Sequence, residues 1–274
     1  MKKSVKTILF YVSIALFIFV IMFPFLWVFL TSLKEPGEIF ASYKWWSKNP
    51  SLDSYKSALT SRPLLGYMKN SLIVSTVTTV IAITFASFAA YALTRLPIKG
   101  KGIIFAVILA SSMFPHIAII SPIYNFVTDF NLRNTYTGLV IPYITFSLPL
   151  AIWLLSTFFQ KIPKDLEESA KMDGATPFQT FRRIIFPLAA PGVFTTAILV
   201  FIAAWNEYLF ALTINSKEAA RTVPVGISLY QSDYTIPWGD ITAATVIVTI
   251  PIVILVLIFQ RKIVSGLTSG SVKG

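Results

Sequence analysis

The chain has no cysteine and a single histidine among its 274 residues. No disulfide framework, thiol nucleophile or Cys-based zinc site can therefore exist, and one imidazole cannot build a His-rich metal centre. Charge is scarce at 13% while 55% of residues are hydrophobic. A mean hydropathy of +0.72 leaves too little polar surface to solvate a single soluble domain. With 12 glycines and 15% aromatics, collagen-like and disordered compositions are excluded as well. The sequence also lacks a G-x-x-x-x-G-K-[ST] phosphate cradle and an HExxH pair, so neither P-loop hydrolysis nor zincin chemistry is encoded.

Long apolar runs take the place of these features. About 18 apolar residues suffice to cross the hydrocarbon core as a helix, and six such runs occur. They cover about Ile8 to Leu33, Ser71 to Thr94, Gly102 to Val127, Tyr136 to Phe159, Pro191 to Ile214 and Ile241 to Phe259. The first follows Lys2, Lys3 and Lys6 as a signal peptide would, but it is too long and no Ala-x-Ala site follows, so it reads as a retained anchor. Pro24, Pro115, Pro122, Pro142, Pro149 and Pro251 fall inside the runs. Each removes a backbone hydrogen bond that lipid cannot replace, so these helices need protein neighbours. Small residues from Ser75 through Ala92 give the second run a surface for close helix approach.

Basic residues set the orientation. Placing the amino terminus inside puts Lys2, Lys3, Lys6, Arg95, Lys99, Lys101, Lys161, Lys164, Lys171, Arg182, Arg183, Arg261, Lys262 and Lys273 on the inner segments. The longer outer segments hold the smaller share, as the positive-inside rule requires for N-in/C-in topology. The same scatter explains the net charge of +11 without nucleic acid, since no single basic stripe forms. The expected organisation is thus a cytoplasmic tail at 1–7, a first transmembrane helix at 8–33 and an extracytoplasmic loop at 34–70. A five-helix core at 71–260 and a cytoplasmic tail at 261–274 complete it.

Within that core, the inner loop at 160–190 is the most informative stretch. Asp165 three residues before Glu168 is a variant capping box that starts a helix at Leu166, and Gly174 can end it in the left-handed conformation. Thr176, Pro177 and Gln179 then repeat the start signal, with Pro187 bounding the second helix. Leu166, Ala170, Phe178 and Phe181 supply a small apolar face, which fits either docking to a partner or rest on lipid.

Glu168-Ser169-Ala170, Gly174, Ile184 and Pro187 resemble the EAA loop: EAA, three residues, G, nine residues, I, any residue, L, P. That loop characterises the membrane subunits of binding-protein-dependent ABC importers. Ser169 for Ala and Phe186 for Leu are the departures, both mild. With the Lys34 to Asn70 loop, Trp205-Asn206-Glu207 and Val223-Pro224-Val225-Gly226, the whole chain is similar to MalG-like carbohydrate permeases. The resemblance implies an all-α, six-span, MetI-like fold in a bacterial or archaeal plasma (inner) membrane. It implies a transport subunit that is not itself an enzyme. Half of an alternating-access path would pair with a homologous second permease as a heterodimer, two cytoplasmic ATPases and an extracytoplasmic sugar-binding protein. Glu168, Ser169, Ala170, Asp173 and Gly174 would form the ATPase-coupling helix. No cofactor would bind this chain, ATP and Mg lying on the ATPases, and a carbohydrate would be the substrate.

For the path itself, Trp205, Asn206 and Glu207 in the fifth run combine an indole, an amide and a carboxylate suited to a sugar. The competing reading is a helix-helix hydrogen-bond network that never meets substrate. His116 has no acid within a helical turn. Tyr43, Trp45, Trp46, Tyr230, Tyr234 and Trp238 read as an interfacial aromatic belt; the resemblance implies that the outer segment from Asn215 to Asp240, with Lys217 and Arg221, reaches toward the sugar-binding protein. An ion-coupled secondary transporter would need more than the single embedded acid Glu207 or a visible inverted repeat, and an ABC permease for a non-sugar solute is the other alternative.

Overall fold

A computed structural model describes residues 2–41, 44–231 and 236–268. Among these there are only helices and connecting turns. In chain order they are α1 (Lys2–Ser32), α2 (Pro36–Ala41), α3 (Asp53–Thr60), α4 (Leu64–Arg95), α5 (Lys101–Ser111), α6 (His116–Asp129) and α7 (Tyr136–Gln160). There follow α8 (Asp165–Met172), α9 (Pro177–Thr180), a π-turn at Phe181–Ile185, α10 (Phe186–Leu188), α11 (Ala190–Trp205), α12 (Leu209–Ile214), α13 (Val223–Ser228) and α14 (Trp238–Thr268).

The described helices include four that are long and apolar enough to cross a membrane unbroken: Lys6–Ser32, Leu64–Arg95, Tyr136–Gln160 and Trp238–Arg261. The third and fifth expected spans are broken instead, so the count reaches six only if each bent pair is one span. Between α5 and α6 the axis turns by 87°. Pro115 stands there in an extended conformation (ψ 127°) as the residue that opens α6, a place where its missing N–H costs no helical bond. The fifth expected span is α11 followed, after a break at residues 206–208, by α12, and α11 itself meets the preceding Pro177–Leu188 segment at 78°. Hydropathy averages across such breaks and cannot register them.

The contacts divide the chain into two units, 1–65 with 226–250, and 66–225 with 251–274. In the first, the α2–α3 segment packs on the start of α14. Ser57 Oγ donates to Asp240 Oδ2 at 2.5 Å, Arg62 Nη2 donates to the Leu229 carbonyl at 3.0 Å, and a Cβ on Gly239 would lie 2.5 Å from Ser54 Oγ. Tyr230 is buried, its hydroxyl donating to the Ala58 carbonyl, so it leaves the expected aromatic belt. Trp45 and Trp46 remain exposed, and Tyr43 and Tyr234 lie outside the described residues.

The core of the second unit forms along α4. Ser75, Thr78, Ala82, Ala86 and Ala90 recur at helical spacing and are all fully buried, the small stripe that lets neighbours approach. Against this side lie Ala151, Leu155 and Phe159 of α7, Phe181 and Ile185 of the π-turn, and Val193 and Val200 of α11. Helix α4 begins at Leu64 rather than near Ser71, because its polar first turns are supported. Tyr67 Oη donates to Glu218 Oε1 at 3.0 Å, and Asn70 Nδ2 donates to the Ala219 and Arg221 carbonyls at 2.8 Å each. The loop expected at 34–70 thus gives up its last residues to a helix.

Candidate functional site

The inner loop folds as two helices joined by a tight turn. Helix α8 starts one residue earlier than its sequence signal suggests: Lys164 is already helical (φ −68°, ψ −27°) and no side chain caps the end. The Asp165–Glu168 capping box is therefore not formed, and Asp165, Glu167 and Glu168 sit in the first turn instead, where carboxylates favour the positive end of the helix dipole. The other end follows expectation. Gly174 has φ +80°, Gly174 N donates to the Lys171 carbonyl at 3.0 Å and Ala175 N to the Ala170 carbonyl at 2.9 Å. These two bonds are a Schellman motif. Thr176 N donates to Gln179 Oε1 at 2.8 Å and Gln179 N to Thr176 Oγ1 at 3.3 Å, a complete capping box. Pro187 does not end the second helix. A π-turn one residue before it, with Phe186 N reaching back to the Phe181 carbonyl, changes the register where proline cannot donate and its ring would clash.

The loop has two faces. Glu167 and Ala170 of α8, with Thr180, Phe181 and Ile185, are buried against the bundle, whereas Leu166, Glu168, Ser169, Met172, Asp173, Gly174 and Phe178 face outward. Ala170 is therefore a support, and Met172, 88% exposed, marks the tip of the free face. Arg95, the last residue of α4, meets Glu167 as an ion pair, Nε to Oε1 at 2.9 Å, outside the geometry of a straight hydrogen bond. The sequence shows Arg95 as one more inner positive charge and Glu167 as a neighbour of Glu168. The sequence pairs Leu166 with Ala170 on the apolar face, but Glu167 takes that place and Leu166 is exposed.

Farther along, α11 stops at Asn206, whose Nδ2 donates to the Ile202 carbonyl at 3.0 Å. Glu207 then folds back over the start of α12. Its Oε1 accepts from Phe210 N at 2.9 Å, and its Oε2 from Ala211 N at 3.1 Å and from Tyr143 Oη at 2.6 Å. A carboxylate so placed satisfies amides that a broken helix would otherwise expose. Glu207 also lines a cavity with His116, Tyr143, Phe146, Ser147 and Phe210. The His116 ring lies 4.5 Å from Phe146 and 5.8 Å from Phe210. Trp205 and Asn206 are not among the lining residues. Trp205 is 3% exposed and stacked on Phe201, centroids 5.8 Å apart, so its face is turned away from any solute there.

The segment after α12 is pinned at several points. Asn134, left-handed at φ 59°, accepts from Lys217 N at 2.7 Å. Arg221 Nη2 donates to the Ser216 carbonyl at 3.1 Å, and Val223 N donates to Ser71 Oγ at 2.8 Å. Lys217 stays exposed and Arg221 half-buried.

Comparison with known proteins fits this architecture. Residues 82–269, which include the inner loop and the cavity, match the model of the family described as binding-protein-dependent transport system inner membrane component. The chain is 46% identical to the trehalose transport system permease protein SugB of Mycobacterium tuberculosis, over 92% of this chain and 93% of that protein. It is 42% identical to the trehalose/maltose transport system permease protein MalG of Thermococcus litoralis, over 100% and 99%. Among solved structures, a chain of a bacterial ABC transporter involved in import of the acidic polysaccharide alginate superposes with a TM-score of 0.79 at 21% identity, covering 95% of this chain and 97% of that one. In such systems ATP is hydrolysed by separate subunits. The chain belongs to the inner membrane components of binding-protein-dependent transport systems, the multi-pass permease subunits of ABC importers.

Proposed function

We propose that this permease serves an importer of sugars, of the size of a disaccharide or a short oligosaccharide. The single observation that carries the substrate class is the near full-length similarity to permeases named for trehalose and for trehalose/maltose. In this reading the chain lies N-in/C-in, with 160–190 cytoplasmic and 34–63 outside. It forms half of the path beside a homologous second permease, receives sugar from an extracytoplasmic binding protein, and couples to two ATPases that hold ATP and Mg.

The outward face of α8 supports the coupling role. Glu168, Ser169, Met172 and Asp173 present their side chains outward, while Gly174 closes the helix in the Schellman turn that fixes their direction. Closure of the ATPases on ATP would draw the loop with them, a rigid-body transmission between two states. For the path, Glu207 with Tyr143, Ser147 and His116 is the favoured group, and Trp205 and Asn206 become its support. Glu207 accepts from two amides and a phenol, which fixes its position and leaves acceptor capacity for a solute hydroxyl.

Two measurements test this. A cysteine placed at Met172 of this cysteine-free chain, crosslinked in host membranes, should capture a P-loop ATPase; capture of none in a correctly inserted protein would refute the coupling role. Uptake of radiolabelled trehalose and maltose by cells with and without the gene should differ at least tenfold for one of them. Equal uptake of both, with loss of uptake of a non-sugar solute, would refute the substrate class.

A further inference from the structure

We infer that Arg95, assisted by Glu167, is the joint through which movement of the inner loop enters the helix bundle, a positioning role that rests on the coupling reading above. Helix α8 is tied to α7 by the short link 161–164 and to α9 by a turn, and its own apolar contribution to the buried face is the small Ala170, so chain connections and packing leave it a loose hold on the bundle. Arg95 supplies what the chain connections lack. Its Nε pairs with Glu167 of α8 at 2.9 Å. Its Nη2 donates to the Phe159 carbonyl and, at 2.5 Å, to the Ile162 carbonyl, groups at the end of α7 that its helical ladder does not fully use. One planar guanidinium therefore ties the end of α4, the end of α7 and the start of α8 at a single point, a geometry the point charge of lysine cannot reproduce.

Burial makes this arrangement costly as a mere brace. The Arg95 and Glu167 side chains are 4% and 9% exposed. A buried pair seldom stabilises more than apolar side chains of equal volume would, and its best attested use is to fix register. Register is what a transmission element needs: Glu167 and the outward Glu168 are adjacent, so a displacement received on one face of α8 is handed to Arg95 across the width of one helix.

The test uses the complete transporter, purified from its host and reconstituted, with Leu199→Cys in the cavity wall as the parent. The rate at which a methanethiosulfonate reagent labels this introduced thiol, with and without ATP, reports whether the cavity changes access, and ATP hydrolysis is measured on the same sample. In Glu167→Gln, and in the Arg95→Met/Glu167→Leu pair that keeps the packing without charge, the ATP-dependent change in labelling should drop at least fivefold while hydrolysis per complex stays within twofold. Two results overturn the inference: an unchanged labelling response in either variant, or labelling response and hydrolysis falling together in proportion to the complex recovered, as a purely structural brace would give. Failure of the Met172 crosslink to retrieve an ATPase from the parent would instead remove the coupling reading, and this inference with it.

Discussion

Replacing Gly174 with asparagine, alanine and valine separates two reasons for a glycine at the end of α8. The residue sits at φ +80°, and no heavy atom of the chain lies within 4 Å of where its Cβ would be. Within this chain the cost is therefore backbone conformation and not collision. For an ordinary L-residue the left-handed region costs about 1–2 kcal/mol, least for asparagine and most for a β-branched residue. The loop can escape that cost by abandoning the two Schellman bonds, at about 0.5–1.5 kcal/mol each. The strain lowers the population of the capped conformation relative to the uncapped one by a factor of about 5–30. Initial sugar uptake, at equal levels of inserted protein, should follow the order Asn, then Ala, then Val, with Asn near the parent and Val at least tenfold down. A partner pressed against the bare glycine would rank the variants by size instead, so asparagine as damaging as valine would refute the conformational account. Full uptake by the valine variant would refute any role for the loop end.

Three further outcomes are expected. An alanine at Gly138 drives its Cβ into the Leu132 carbonyl oxygen, whereas at Gly192 it meets the Phe158 ring; overpacking costs about 1–3 kcal/mol, and Gly138→Ala should lower the thermal midpoint in detergent more, because a ring can swing aside and a backbone cannot. Tyr143→Phe removes one of three hydrogen bonds to Glu207, about 1.5–3 kcal/mol for a charged acceptor, and should destabilise less than Glu207→Gln, which also disturbs both amide contacts; equal midpoints would show the carboxylate does not hold the α11–α12 break. The Ser47 hydroxyl, then the Lys48 N–H and the Lys34 and Lys48 charges, hold Glu38 below its ordinary value of 4.5 against partial desolvation. A depressed carboxyl contributes stability above its unfolded pKa and loses it as pH falls through the folded one, so proteolysis of the 36–48 segment should rise on acidification below about pH 4.5 and Ser47→Ala should blunt the change; a flat profile would refute it.

How much of this was legible depended on range. Local signals were read well: the Gly174 left-handed end and the Thr176–Gln179 box each need only neighbouring residues, and the small stripe of α4 needs only helical period. Hydropathy located the apolar segments but passed over the breaks at Pro115 and Asn206, because a composition window has no term for backbone direction. Asp165 misled, since a capping signal does not say which carbonyl opens the helix, and the wide turn before Pro187 has no sequence mark of its own. The Arg95–Glu167 pair and the Tyr143–Glu207 bond join residues 72 and 64 positions apart, and one sequence by itself carries no record of such pairings. Trp205 shows the limit in another way: an indole beside an amide and a carboxylate looks like a sugar platform until packing turns its face inward.

The partners of Glu207 also order the events of biogenesis. A bare carboxylate is among the costliest groups to leave facing hydrocarbon, yet each group that satisfies this one is already synthesised, or arrives within four residues, when it emerges. Tyr143 belongs to a helix made earlier, and Phe210 and Ala211 come with the next helical turn. One partner thus precedes the carboxylate in the chain and two follow within its own next turn, so Glu207 need not face hydrocarbon bare.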